Sequence, residues 1–256
     1  MKNDLFSIGP LTVHGYGLMI GIGVLAAYLT AEYRAKKNNL DHECIFWIVV
    51  WGLSGGLVGA KILYYITEIQ DIIANPRLLL NVADGFVVYG GIIGGIVSAY
   101  FYLRWKKYRP IKYFDIAMPS IALAQGFGRI GCFLAGCCYG LETDSCIGIT
   151  FRTSAYAPNN VPLIPTQLLS SGLNFLHFFI LIFIAKRFKT DGLVLGMYLT
   201  LYSAGRFVIE FFRGDLIRGS VGRWSTSQFI SIFIFIAGLA VIFWSVKRKK
   251  QSKEDV

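Results

Sequence analysis

Apolar runs of about twenty residues recur seven times along this chain, each long enough to cross the hydrocarbon of a bilayer as a helix. They lie at roughly 13–33, 45–66, 86–103, 114–135, 168–185, 193–212 and 227–246. A chain inside hydrocarbon must satisfy its own backbone hydrogen bonds, so runs of this length read as helices. Of the 256 residues, 55% are hydrophobic and 16% charged. A soluble domain would carry about 25% charged residues. The pattern predicts an all-α, polytopic membrane protein with about seven transmembrane helices. Residues 1–246 read as a single integral-membrane domain and 247–256 as a basic, disordered cytoplasmic tail. No cleavable signal peptide is expected before the first run. The net charge of +10 would suggest nucleic acid in a soluble protein. Here it reads as cationic loops that set topology and meet anionic lipid heads, with no nucleic-acid partner.

The basic residues sort by loop. Arg34, Lys36 and Lys37 follow the first run. Arg104, Lys106, Lys107, Arg109 and Lys112 follow the third. Lys186, Arg187 and Lys189 follow the fifth, and Lys247, Arg248, Lys249, Lys250 and Lys253 follow the last. The opposite loops hold only Lys2, Arg77, Arg152, Arg218 and Arg223, with Arg213 at a boundary. The positive-inside rule places the first set in the cytoplasm, the N-terminus outside and the C-terminus inside. Two long outer loops, about 67–85 and 136–167, are candidates for function.

Three basic residues lie within the runs: Lys61, Arg129 and Arg206. A cation at bilayer depth is costly and marks a functional site by default. Arg129 sits in Gly128-Arg129-Ile130-Gly131-Cys132-Phe133-Leu134-Ala135-Gly136-Cys137-Cys138-Tyr139-Gly140. The glycines let the backbone turn or approach a ligand, and a guanidinium grips phosphate or carboxylate in a fork. Arg206 has Glu210 one turn on. That pair is either an internal salt bridge or part of a site. Tyr202 lies one turn before Arg206, on the same face.

Other features carry two readings each. The clusters Gly55-Gly56-Leu57-Val58-Gly59-Ala60 and Gly90-Gly91-Ile92-Ile93-Gly94-Gly95 read as close helix packing or as a widened lateral cavity for lipid. In His14-Gly15-Tyr16-Gly17, Tyr16 is an interfacial anchor or a site residue. Cys132, Cys137, Cys138 and Cys146 cluster towards the outer face, Cys44 towards the inner one. A disulfide from Cys137-Cys138 to Cys146 is one reading for an oxidising compartment. The spacing matches no familiar zinc-ligand pair, so no metal is expected. His177 reads as a satisfied core residue.

Several motifs, in order over most of the chain, resemble the prolipoprotein diacylglyceryl transferase family. They are Phe6-Ser7-Ile8-Gly9-Pro10, His14-Gly15-Tyr16-Gly17-Leu18-Met19, Asp84-Gly85-Phe86-Val87-Val88-Tyr89-Gly90-Gly91-Ile92-Ile93-Gly94, Gly128-Arg129-Ile130-Gly131, Pro165-Thr166-Gln167-Leu168, and Tyr202-Ser203-Ala204-Gly205-Arg206-Phe207-Val208-Ile209-Glu210-Phe211-Phe212-Arg213. The resemblance implies a transferase of the bacterial cytoplasmic (inner) membrane, without a cofactor. Its substrates would be phosphatidylglycerol and the lipobox segment of a preprolipoprotein. The diacylglyceryl group would pass to the lipobox cysteine thiol as a thioether, releasing glycerol phosphate. The resemblance also implies catalytic roles for Arg129, Arg206, Tyr89 and Tyr202. Substrate-binding roles fall to Tyr16, His14, Gly90, Gly91, Gly131, Cys132, Gly140, Glu210 and Arg213.

The chain departs from the family pattern at defined places. Tyr89 stands where the family usually has His, a natural proton acceptor. Cys132 and Ala135 replace two Asn residues, Cys137 an acidic residue, Ile164 a His, and Leu169-Ser170 a Tyr-Glu pair. The alternatives to an ordinary transferase are a paralogue acting on another acceptor, with the cysteines as a thiol way-station, and a non-catalytic lipid-binding or transport protein. A thiol oxidoreductase would rest on the cysteines alone.

Overall fold

The computed structural model describes residues 4–8, 11–80, 85–215 and 219–254. Gly9, Pro10 and Asp84 of the quoted motifs, and the loop cations Lys2 and Arg218, lie outside the described residues. The chain opens with a ribbon of β1 (Asp4–Ile8) and β2 (Leu11–His14), followed by α1 (Gly15–Lys37) and α2 (Glu43–Thr67). A short α3 (Ile69–Ala74) and a 3-10 turn (Pro76–Leu80) occupy the first long loop. Then come α4 (Val88–Trp105) and α5 (Pro110–Ala135). The second long loop holds β3 (Ile149–Thr150) paired with β4 (Pro162–Leu163). The chain continues with α6 (Thr166–Arg187), α7 (Leu193–Glu210), a small ribbon of β5 (Ser220–Val221) and β6 (Trp224–Ser225), and α8 (Thr226–Glu254).

The protein is an all-α polytopic membrane protein. Each apolar run of the sequence has become a long helix, with ends shifted by a few residues. α1, α2, α6, α7 and residues Thr226–Gln251 of α8 are long and apolar enough to cross a membrane. α4 and α5 are not in that group, because α4 is diluted by glycines and tyrosines and α5 carries Asp115, Gln125 and Arg129. One expectation is corrected. Residues 247–254 are helical as part of α8, where the sequence suggested a disordered tail. Lys, Arg, Gln and Glu are strong helix formers, and an established helix propagates through them cheaply.

The chain divides into two compact units, Met1–Ala31 with Phe114–Val256, and Glu32–Tyr113. In the second, α2 and α4 meet backbone to backbone. A Cβ placed on Gly59 or Gly90 would strike the other's carbonyl oxygen, and one on Gly94 would strike that of Gly55. Ser98 Oγ then donates across the seam to the Trp51 carbonyl at 2.7 Å. Small residues that let helices approach are the usual contact in hydrocarbon, where packing replaces the hydrophobic effect. Both glycine clusters therefore serve helix packing.

In the first unit, Met118 and Ala122 of α5, Leu181 of α6, and Val194 and Tyr198 of α7 form a buried core. Gly192 takes φ 89° and opens α7. Its N–H donates to Asp115 Oδ2 at 2.6 Å, and the Leu195 N–H donates to Asp115 Oδ1 at 2.8 Å. A carboxylate from α5 thus caps the orphan donors and positive dipole end of α7. On the other side, Ser171 Oγ of α6 donates to the Gly126 carbonyl of α5 at 2.9 Å. Helices α5, α6 and α7 are thereby held in register around the space between them.

Three outcomes test this packing. Gly59→Leu should destabilise the protein by about 3 kcal/mol, as over-packing of a tight contact does. Gly52→Ala, with open space around it, should leave thermal unfolding in detergent unchanged. Asp115→Ala should cost about 1 kcal/mol, the worth of a helix cap, read in the same unfolding assay.

Candidate active site

Helix α5 brings Arg129 into the first unit, and α7 brings Tyr202 and Arg206 to it. Together with Ser170, Asn174 and His177 of α6, these side chains line a cavity of about 160 Å³. The rest of its wall is aliphatic, including Leu173, Ile180 and Ile209. Arg206 Nη2 lies 2.8 Å from Glu210 Oε2, with side chains only 16% and 5% exposed. The same Nη2 donates to Ser227 Oγ of α8 at 2.8 Å. The Arg129 guanidinium lies within electrostatic reach of the Tyr202 hydroxyl. No acidic side chain pairs with Arg129 among the described residues. The charge of Arg206 is matched and that of Arg129 is not, so the cavity favours an anion.

Aromatic stacking stiffens this wall. Tyr202 stacks on Tyr198 at 5.7 Å between ring centroids, and Tyr198 stacks on His177 at 5.3 Å. His177 departs from the expectation of a satisfied core residue, because it is buried with an unpartnered Nε2. Ser170, Asn174 and His177 are sites that sequence reasoning missed. Their spacing puts them on one face of α6, a polar stripe on an apolar helix that the periodicity of a helix could have revealed. Ser227 left no signal, since only the fold brings α8 to Arg206.

The turn after α5 builds the cavity's neighbourhood. Gly136 (φ 74°) and Cys138 (φ 60°) take left-handed conformations and fold the chain back. Thr166 Oγ1 donates to the Cys138 carbonyl at 2.9 Å, and Gln167 Nε2 to the Cys137 carbonyl at 2.8 Å. This is the physical role of Thr166-Gln167 at the start of α6. Gly140 sits where three segments meet. Its N–H donates to the Ile164 carbonyl at 3.0 Å, and a Cβ there would crowd the Ile164 and Phe212 carbonyl oxygens. Gly131 faces the start of α1, where a Cβ would come within 3.2 Å of Met19 Cβ and of Tyr16.

The sulfurs of Cys132, Cys137 and Cys138 all lie within 4.8 Å of one another. All five cysteines are reduced and Cys146 is exposed, so the disulfide reading is not realised. The turn gathers three thiols that spacing along the sequence leaves apart, a group that could hold a metal ion. Hydrogen bonds from Cys132 and Cys137 hold the Cys138 thiol well below its ordinary pKa, helped by Arg213 and Arg129. The Cys137 thiol is correspondingly pushed up by its hydrogen bonds with Cys132 and Cys138. Arg213 is clamped by Asp215, with Nε to Oδ1 at 3.0 Å and Nη2 to Oδ2 at 2.8 Å. Burial nonetheless raises the Asp215 pKa, outweighing that pairing.

The remaining candidates are located as follows. His14 ends β2 and is exposed. Tyr16, in the first turn of α1, is 42% exposed and within electrostatic reach of Arg129 and the three clustered cysteines. Tyr89, Gly90 and Gly91 lie in the first turn of α4, in the second unit, with Tyr89 exposed.

Comparison with known proteins gives the family. A family model described as prolipoprotein diacylglyceryl transferase matches residues 3–244. A phosphatidylglycerol–prolipoprotein diacylglyceryl transferase of Clostridium tetani is 46% identical over 241 residues, covering 94% of this chain and 96% of the relative. A second protein of that name, numbered 2, from Clostridium perfringens is 42% identical over 255 residues, covering 99% and 98%. One from Finegoldia magna is 35% identical over 253 residues, covering 98% and 97%. With its arginines gathered on one cavity and the match running nearly end to end, the chain belongs to the prolipoprotein diacylglyceryl transferase family.

Proposed function

We propose that this protein transfers the diacylglyceryl group of phosphatidylglycerol to the lipobox cysteine thiol of preprolipoproteins. The observation that carries the reading is the cavity in which Arg129 and Arg206 converge with, among the described residues, one carboxylate between them. A phosphodiester supplies the missing negative charge. The acyl chains leave the cavity along its aliphatic wall of Leu173, Leu176, Ile180 and Leu201. The printed names of the relatives state the same lipid and the same protein acceptor.

The chemistry follows from these groups. The acceptor sulfur attacks the glyceryl carbon bonded to the phosphate oxygen, a C–S bond forms, and the C–O bond breaks. The electron pair goes to the phosphate, which leaves as glycerol phosphate. Negative charge grows on that phosphate as the bond breaks. Guanidinium groups already fixed in a dry site stabilise it without reorganisation. Glu210 and Ser227 act as positioning residues by holding Arg206, and Tyr202 aims Arg129. A cysteine way-station is disfavoured on chemical grounds. A diacylglyceryl thioether on Cys132, Cys137 or Cys138 would be a stable end product, because an alkyl thioether is a poor donor.

The topology that serves this reaction has seven crossings, with the N-terminus outside and the basic C-terminal end in the cytoplasm of a bacterial inner membrane. Residues 1–246 form the transferase domain. Tyr16, His14, Gly131, Cys132, Gly140 and Arg213 border the substrates.

The test is transfer from labelled phosphatidylglycerol to a lipobox peptide. Wild type should give a diacylglyceryl peptide and glycerol phosphate in equal amounts. Arg129→Ala and Arg206→Ala should each reduce turnover about 10²–10³-fold, the scale of losing one preorganised donor. Tight binding of phosphatidylglycerol with no glycerol phosphate released would overturn the reading. Glu210→Gln should leave Arg206 a buried, uncompensated cation. It should lower stability by about 3 kcal/mol as well as turnover, seen as earlier thermal unfolding in detergent.

A further inference from the structure

The nucleophile in the proposed reaction is a thiol, which reacts as its thiolate. Tyr89 occupies the position of the family's usual proton acceptor, and a neutral tyrosine is a poor base. The fold offers another way to remove that proton. Cys132 is one helical turn beyond Arg129 on α5, so the two side chains project to the same face. The left-handed residues Gly136 and Cys138 bring the next two thiols back to the first. Three sulfurs within 4.8 Å of one another are close to the spacing of ligands on a single ion. The backbone carbonyls of Cys137 and Cys138 are pinned by Gln167 and Thr166, so the turn is held rather than free to open.

The ligand chemistry selects the ion. Three thiolates suit a soft or borderline cation, and zinc binds thiolates in tetrahedral sites without redox chemistry. Three thiolates and Zn²⁺ carry a net charge of −1. Arg129 and Arg213 lie within electrostatic reach of Cys138, so that charge stands beside cations. Three protein ligands with an open fourth position is the pattern of a catalytic zinc site, whereas structural sites are closed by four. Among the described residues no fourth His, Cys, Asp or Glu joins the group.

We propose that Cys132, Cys137 and Cys138 bind one zinc ion, whose fourth position takes the acceptor thiol beside the lipid phosphate held by Arg129. This rests on the transferase reading above. The acceptor S–H gives its proton to solvent as its sulfur binds zinc. The zinc-held sulfur then forms the C–S bond to the glyceryl carbon while the C–O bond breaks. The electron pair leaves with glycerol phosphate, and the neutral thioether, a weaker ligand than thiolate, departs from the ion. No oxidant or reductant is consumed.

The test uses the full-length protein in detergent, purified anaerobically with zinc present. Metal analysis should find one zinc per chain. Cys132→Ser, Cys137→Ser and Cys138→Ser should each cut that about tenfold or more, the usual consequence of losing a ligand or its support. Cys146→Ser should keep it. Helix content by circular dichroism should survive in the three variants, and binding of phosphatidylglycerol in Cys137→Ser and Cys138→Ser, separating ligand loss from misfolding. With cobalt in place of zinc, a sulfur-to-metal charge-transfer band should shift on adding a lipobox peptide and stay still with its Cys→Ser version. Chelation should slow transfer about a hundredfold, the scale of losing the group that deprotonates a nucleophile, and zinc alone should restore it. Full transfer by zinc-free enzyme, or a disulfide among the three cysteines in active protein, would overturn the proposal and leave the transferase reading intact. Stoichiometric zinc in a protein that releases no glycerol phosphate would instead overturn the transferase reading and the acceptor's place on the ion.

Discussion

The ion pair between Arg206 and Glu210 is what allows a cation to sit this deep among apolar helices. An unpaired guanidinium here would carry a desolvation penalty of several kcal/mol. Glu210 one turn away and Ser227 from α8 offset it at 2.8 Å each. That arrangement fixes Arg206 on α7, couples α7 to α8, and leaves the neighbouring Arg129 without an acidic side-chain partner among the described residues. The cavity's preference for an anion follows from this imbalance. Two arginines each with its own carboxylate would make a neutral wall.

Around this charge the fold is built from contacts that replace the hydrophobic effect. Glycines on α2 and α4 bring backbones together, and buried hydroxyls and amides bridge elements. Asp115 ties α5 to the first turn of α7. Thr166 and Gln167 tie α6 to the turn after α5. These bonds connect α5, α6 and α7, the three helices that line the cavity, so the distances between its charged groups are held by the backbone as well as by side chains.

The departures from the family pattern acquire a common logic in this setting. Cys132 and Cys137 stand where polar family residues are expected, and one turn gathers them with Cys138. The change at Tyr89 removes one proton acceptor. The gathered thiols supply a different chemistry for the same need, next to the arginine that handles the leaving phosphate. His177 adds a further polar group to the cavity wall, stacked on Tyr198 with Nε2 unpartnered.

The sequence by itself determined the class of protein and the positions of its long helices, and it singled out the charged residues that lie within them. Those signals are local: hydropathy over about twenty residues, and the i, i+4 spacing that joins Arg206 to Glu210. The exposed His14 and the β2 strand before α1 were less legible, because a short ribbon leaves no periodic trace. Helix continuing to Glu254 was missed because hydropathy falls at Lys247 while helix propensity does not. Only the tertiary structure decided which arginine lacks an acidic partner among the described residues, that Ser227 and the polar face of α6 lie at the cavity, and that three cysteines share one point. Each of these depends on helix crossings or on left-handed backbone at Gly136 and Cys138, and such long-range geometry has no counterpart in the local pattern of residues.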